Sequence, residues 1–321
     1  KWRTEMKKAF EKLNLRDYGV LLGFLALCIA ISIATPSFLG KQNILNLLRQ
    51  SSIIGIISAG MTFVIISGNF DISVGAVAAL AGAITMKFAT GGTNLFASML
   101  LGVAICAVIG LINGIVVAKI NVPSLIATMA MVTIVRGLLL MLTGGYPITE
   151  NIPILDYIGN GYLFSIPIPV VIFFIVVLAS FIVLNKTKFG RYVYSVGGNQ
   201  EASKLNGINV DSHKVKVFII NAVLAGIAGI VLTGRLGTAT AIAGEGYDMD
   251  AIASVVIGGT SVAGGSGSVL KTVIGVLLMS VINNSFNLLG IDVYFQYIFK
   301  GLIILAAVGF DSYSKKKLAS R

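Results

Sequence analysis

Apolar segments of about 20 residues recur along this chain, and that recurrence constrains its fold more than any motif does. A run of that length crosses a hydrocarbon core of roughly 30 Å as a helix, whose backbone satisfies its own hydrogen bonds in lipid. The runs fall near 18–35, 50–67, 72–90, 95–118, 123–142, 163–184, 215–236, 250–262, 270–289 and 294–310. Of 321 residues, 56% are hydrophobic and 12% charged, against about 25% charged in a soluble domain. The chain therefore reads as an all-α polytopic membrane protein of about ten transmembrane helices. It forms one transmembrane domain over 1–321, with a tail at 1–17, a long charged loop at 185–216 and a second tail at 311–321. The eighth run is short. Gly68-Asn69-Phe70-Asp71, between the second and third runs, has to be a tight turn or a break at membrane depth.

Basic residues orient these helices. With the N-terminus in the cytoplasm, 18 of the 24 Lys and Arg fall on the cytoplasmic side: six in the tail, Lys119, six between Lys186 and Lys216, Lys271, and Lys315, Lys316, Lys317 and Arg321. The loops on the other side, 143–162, 237–249 and 290–293, contain none. This is a strong positive-inside bias, and an even number of spans returns both termini to the cytoplasm. The net charge of +11 then reflects orientation and contact with anionic lipid. Nucleic acid is a poor partner, because the charges form no single stripe. Cys28, Cys106 and the single His213 provide neither a disulfide framework nor a metal cluster.

The two halves resemble each other weakly. Leu111-Ile112-Asn113 precedes a span containing Arg136-Gly137, and Val281-Ile282-Asn283 precedes one containing Lys300-Gly301. Asp71 opens span three as Asp250 opens span eight. A separation of five spans reverses orientation, so the expectation is two inverted repeats of about five helices, with a substrate path along their interface near mid-membrane.

Polar groups inside spans cost at least about 2.5–3.5 kcal/mol each when charged, and they face protein or a water-filled path. Asp71 stands where a carboxylate would cap span three or meet substrate. Arg136 and Lys300 either pair and line the path or snorkel to an interface. Asn69, Asn113, Asn283, Asn284 and Asn287 form a set of neutral amides. Asn283 and Asn287, four apart, share one helical face. Such amides either bond helices together or receive the hydroxyls of an uncharged polyol, with Phe286 beside them to stack on a sugar ring.

The loop at 185–216 is the longest charged segment between spans. Within it, Gly198-Asn199-Gln200-Glu201-Ala202-Ser203, then three residues, then Gly207, looks like the cytoplasmic coupling loop of an ABC importer permease, where a short helix and a glycine turn dock on an ATPase. Gly265-Ser266-Gly267-Ser268-Val269-Leu270-Lys271-Thr272 imitates a phosphate-binding loop but has Leu270 where Gly must precede Lys. With no Ser-His-Asp arrangement and no HExxH motif either, the chain has no catalytic site of its own. Any ATP and Mg would be bound by a partner ATPase.

Further stretches strengthen the resemblance: Gly60-Met61-Thr62-Phe63-Val64-Ile65 through Asp71-Ile72-Ser73-Val74-Gly75, Gly190-Arg191-Tyr192, Asn206-Gly207-Ile208-Asn209-Val210, Gly246-Tyr247-Asp248-Met249-Asp250, Gly258-Gly259-Thr260-Ser261, and Asn283-Asn284 through Asn287-Leu288-Leu289-Gly290. Over nearly its whole length the chain resembles permease subunits of bacterial ABC importers for ribose and related monosaccharides. The resemblance implies a multi-pass protein of the bacterial inner membrane, paired with a second copy or a paralogue. It also implies a cytoplasmic ATPase with two nucleotide-binding domains and an extracytoplasmic sugar-binding protein. The binding protein would meet outer acids, among them Glu150, Asp156, Glu245, Asp248, Asp250 and Asp292. The chain departs from the family pattern at Ser203, where a second Ala is common, and at Phe70, a larger residue than relatives carry there. Another small polar solute such as a nucleoside or a signalling sugar is the alternative cargo. An ion-coupled secondary transporter is the alternative class, disfavoured because Asp71 is nearly alone among carboxylates in spans.

Overall fold

A computed structural model describes residues 15–319. Thirteen helices run through them in order: α1 (Leu15–Ala34), α2 (Lys41–Ile66), α3 (Val74–Thr90), α4 (Leu95–Ala118), α5 (Ser124–Thr143), α6 (Pro153–Asn160), α7 (Ile168–Lys186), α8 (Lys188–Gly198), α9 (Gln200–Leu205), α10 (Val210–Leu236), α11 (Tyr247–Ile257), α12 (Val269–Leu288) and α13 (Val293–Ala319). Six of them, α2, α4, α5, α7, α10 and α12, are long and apolar enough to cross a membrane. Gly19–Ala34, Val74–Thr90 and Val293–Ala306 form shorter apolar stretches.

The centre is built on α2 and α10. Residues 51–66 of α2 are all buried, as expected for a helix enclosed by others on every side. Three of its hydroxyls are satisfied within the helix: Ser51, Ser52 and Thr62 donate to the carbonyls of Leu47, Leu48 and Ser58. Helix α10 packs against α2, α3, α4 and α6, while α11 and α12 cover another side of α2. Small residues permit these approaches. A Cβ at Gly60 would lie 2.6 Å from Asn221 Oδ1, and one at Gly110 would lie 2.6 Å from the carbonyl of Phe218. Helices α5 and α13 are peripheral, with exposed Ile126, Met129, Met141, Phe295, Ile298 and Leu305.

Each expected span has a helix, but several boundaries differ. Helix α2 begins at Lys41 and α10 at Val210, because a helix runs on into polar sequence beyond its hydrophobic window. Helix α7 begins at Ile168, since Tyr162–Leu163 and Ile166–Pro167 pair as a small hairpin. A second strand pair joins Ile148–Thr149 to Thr238–Ala239. The eighth span stops at Ile257. Its 11 residues cover about 16 Å, half the hydrocarbon thickness. Helix α13 continues to Ala319, so the tail expected at 311–321 is helical through most of its length. Of the tail expected at 1–17, residues 1–14 lie outside the described residues and 15–17 already belong to α1.

Candidate functional site

Helix α2 ends at a break that reverses the chain into α3. Gly68 takes a left-handed φ of 79°, and Asn69 Nδ2 turns back onto the carbonyl and hydroxyl of Ser67, both at 3.1 Å. Asp71, 1% exposed, accepts from Ser73 N at 2.9 Å and Ser73 Oγ at 2.5 Å through Oδ1. Its Oδ2 accepts from Asn221 Nδ2 of α10 at 3.0 Å. Asn113 Nδ2 of α4 donates to Ser73 Oγ at 3.1 Å. Ser124 Oγ and Thr128 Oγ1 of α5 accept from the backbone of Phe70 and Ile72. Each of these side chains is bonded to another group, although Asn221 Oδ1 is left without a partner, and Asp71 acts as the carboxylate anchor at the start of α3.

A second break follows α10. The segment 237–246 turns back before α11 begins, placing Gly244 against Gly75 of α3. Arg136 of α5 holds this segment, donating through Nη1 to the carbonyls of Ala241 and Ala243. In α11, Asp250 is 3% exposed, and Lys300 Nζ of α13 stands 3.1 Å from each of its oxygens. Asn283 Nδ2 of α12 adds a bond to Oδ2 at 3.3 Å. Arg136 and Lys300 therefore do not snorkel; each binds groups of the second break. Asp250 is spent on this pair, which withdraws it from the set of outer acids available to a docking protein.

The amides do not line up as one ladder. Asn113 and Asn283 each reach the start of the short helix beside them. Asn284 exchanges two hydrogen bonds with Asn43 of α2, at 3.0 and 2.8 Å. Asn287 is exposed and accepts from Gln296 at 3.2 Å, while Phe286 packs against Phe299 with the rings tilted by 30° and their centroids 5.5 Å apart. Asn221, the partner of Asp71, escaped the sequence reading; its signal was a lone amide in the middle of an apolar run.

A cavity of about 680 Å³ lies between α5, the 241–246 segment and α13, lined in part by Ile72, Arg136, Glu245, Asp248, Met249 and Tyr297. A neighbouring cavity of about 280 Å³ shares Glu245, Gly246, Met249 and Tyr297 and reaches Lys300 and Gln296. Together they form a groove holding two cations, Arg136 and Lys300, two carboxylates, Glu245 and Asp248, and an exposed aromatic ring. Glu245 and Asp248 were expected among the outer acids, and Asp248 lies in the Gly246–Asp250 stretch, but neither was expected beside a cavity; Tyr297 carried no motif that marks it. Helices α5 and α13 both line this groove, and its polar lining is charged side chains rather than the amides.

Far along the chain, Thr187 and Asn199 start α8 and α9. Asn199 Oδ1 accepts from Ala202 N at 2.9 Å, a side-chain cap that satisfies an orphan amide. Ser203 is the one buried residue of α9. Its hydroxyl meets Ser195 Oγ at 2.9 Å and the Asn199 carbonyl at 2.8 Å, so serine in place of alanine ties α9 to α8. Gly198, Glu201 and Ala202 face outward, and Leu205 is 89% exposed. Glu201 stands 3.8 Å from Lys204, a surface pair of little energetic consequence. Gly207, φ 77°, ends the helix with Gly207 N donating to Lys204 and Ile208 N to Ser203, a glycine stop. The phosphate-loop mimic at 265–272 is the turn into α12. Among the described residues, no group of three or more His, Cys, Asp or Glu is placed to hold a metal ion.

Comparison with known proteins places this arrangement. Residues 43–308 match the family model described as branched-chain amino acid transport system / permease component. The ribose import permease protein RbsC of Haemophilus influenzae is 44% identical over 303 residues, covering 92% of this chain and 94% of the relative. RbsC of Bacillus subtilis is 42% identical over 312 residues, covering 96% and 97%. The L-arabinose transport system permease protein AraH of Escherichia coli is 35% identical over 300 residues, covering 94% and 92%. No solved structure matches the chain.

Proposed function

This chain belongs to the family of transport-system permease components, and from that premise we propose that it is the membrane subunit of an ATP-binding-cassette importer for monosaccharides. It is a multi-pass protein of the inner membrane and contributes no ATPase of its own. A cytoplasmic ATPase supplies the energy, and an extracytoplasmic binding protein delivers the sugar. Relatives named for ribose and for L-arabinose support a pentose-like cargo. A second copy of the chain completes the pathway, and both termini lie in the cytoplasm, on the side that carries the basic loops.

The observation that carries this reading is α9, a short capped helix standing outside a buried bundle, with Glu201 and Leu205 presented to a partner. A single exposed leucine is ordinary on a protein surface; here it stands with Glu201 on a helix fixed at both ends, by the Asn199 cap and the Gly207 stop. ATP binding closes the motor dimer and moves α9, and the helices rock around the groove between α5 and α13. Sugar passes that groove: Glu245 and Asp248 accept from hydroxyls, Arg136 donates, and Tyr297 offers a ring face. Asn69, Asp71, Asn113 and Asn283 hold the two breaks in shape around it, and Asn284 ties α12 to α2 through Asn43. Only a difference in sugar affinity between the outward and inward states makes this cycle productive.

The test is co-purification with an ATPase, followed by ATP hydrolysis in the assembled complex with and without loaded binding protein. Gly207→Glu, or Glu201→Arg, abolishes sugar-stimulated hydrolysis while the permease still reaches the membrane. Intact stimulation in both variants refutes the docking assignment.

A further inference from the structure

Three strands of backbone cross at one point behind the docking helix, and glycine is present wherever they touch. The first is the end of α2, where Ile66 and Gly68 lead into the Asp71 break. The second is the end of α8, Gly197 and Gly198, one residue before the cap of α9. The third is Gly264 and Gly265, in the turn from α11 to α12. Gly265 N donates to the carbonyl of Ile66 at 2.8 Å, so the third strand is bonded directly to the first. A Cβ at Gly197 would overlap the Ile66 carbonyl and come within 2.7 Å of Gly265 N. A Cβ at Gly265 would stand 2.7 Å from Gly198 Cα, and one at Gly264 would stand 2.8 Å from the Gly197 carbonyl and 2.9 Å from Gly68 Cα. Gly264, at φ 85°, also adopts a conformation other residues resist. The contact is completed by a side chain: Tyr194 of α8 donates through its hydroxyl to the carbonyl of Gly267 at 3.0 Å.

We infer that this crossing carries the displacement of the docking helix into both membrane breaks. Gly68, Gly197 and Gly264 act as positioning residues, and Tyr194 as the latch that keeps α8 on the α11–α12 turn. The inference rests on the reading of α9 as the ATPase contact. Backbones in direct contact, without intervening side chains, transmit a shift without the slack that rotamer changes would absorb. The first strand leads within five residues to Asp71, and the third joins α11, which carries Asp250, to α12, which carries Asn283. A push on α9 thus reaches both carboxylate anchors through one shared point.

The experiment uses the complex of permease, ATPase and loaded binding protein in liposomes, and reads the ratio of sugar-stimulated to basal ATP hydrolysis. Tyr194→Phe, which keeps the ring and removes only the latch hydroxyl, lowers that ratio roughly fivefold. Gly264→Ala lowers it by about tenfold or more, whereas Gly23→Ala on α1, where a Cβ meets nothing within 4 Å, leaves it unchanged. ATPase co-purification and basal hydrolysis stay at wild-type level in Tyr194→Phe. If Gly264→Ala does not assemble, Tyr194→Phe decides alone. A wild-type ratio in Tyr194→Phe, or in an assembled Gly264→Ala complex, overturns the inference. Failure of the wild-type permease to bind any ATPase would instead overturn the docking assignment.

Discussion

The two breaks in this molecule use the same parts and are stabilised in different ways. Each follows a long central helix, α2 or α10, and precedes a shorter one, α3 or α11. In each a buried carboxylate and an asparagine from the following helix fix the start of the short helix. Asp71 is held by neutral donors alone, Ser73 and Asn221. Asp250 is held by a cation, Lys300, with Asn283 beside it. The first break is packed among α2, α4, α5 and α10 and reaches the groove through Ile72 and Gly75, whereas the second supplies most of the groove's polar lining, Glu245 and Asp248 among it. An enclosed turn tolerates a fixed network of neutral donors. A turn beside a solute path needs a partner that compensates charge as it is exposed and covered. The first break therefore reads as a frame and the second as the moving part.

The largest separation between them should follow from removing one charge. Lys300→Met leaves Asp250 buried without its cation, which costs about 3–5 kcal/mol. Thermal unfolding of the purified permease should register this as a clear loss of stability, and Asp250→Asn in the same chain should restore most of it. If Lys300→Met is as stable as the wild type, the pair does not hold the second break. Asp71→Asn keeps an acceptor for Ser73 and should lose no more than about 1–2 kcal/mol in the same assay. A loss as large as that of Lys300→Met would erase the distinction between the breaks.

Next comes Arg136→Met, which frees the carbonyls of Ala241 and Ala243. Stability should change modestly, while uptake falls by about tenfold because the 241–246 segment loses its hold beside the groove. Unimpaired uptake would remove Arg136 from the path. The smallest effects belong to the amides. Asn283→Leu should weaken the second break by about 1–2 kcal/mol and reduce uptake. Asn287→Leu, at an exposed position bonded only to Gln296, should change uptake by less than about twofold. A stronger effect from Asn287 than from Asn283 would return the amide face to the solute path.

Much of this was legible in the sequence, for physical reasons that differ by region. Each apolar run coincides with a helix, six of them long enough to cross a membrane, because lipid imposes length and backbone pairing on each crossing. The short helix at 200–205 was readable because Asn199 and Gly207 each do local work, a cap and a left-handed stop. Depth was not readable. The segment 237–246 has the composition of a surface loop, yet it folds back against Gly75, because hydropathy reports what a residue prefers and not how far a turn descends. Asn221 was hidden for a similar reason, since its partner lies 150 residues away. The amides were expected together on one face, but tertiary packing distributed them among separate interfaces. The glycine crossing was invisible because its members, Gly68, Gly197 and Gly264, come from three distant segments.

The central claim is that transport through this membrane subunit is driven from its cytoplasmic face by a separate ATPase. Reconstituting the purified permease in liposomes, with and without the ATPase, and following sugar uptake against its gradient tests this directly. Uptake that appears only with the ATPase, ATP and loaded binding protein is the predicted result. Uphill uptake by the permease alone, powered by a proton or sodium gradient, would contradict it.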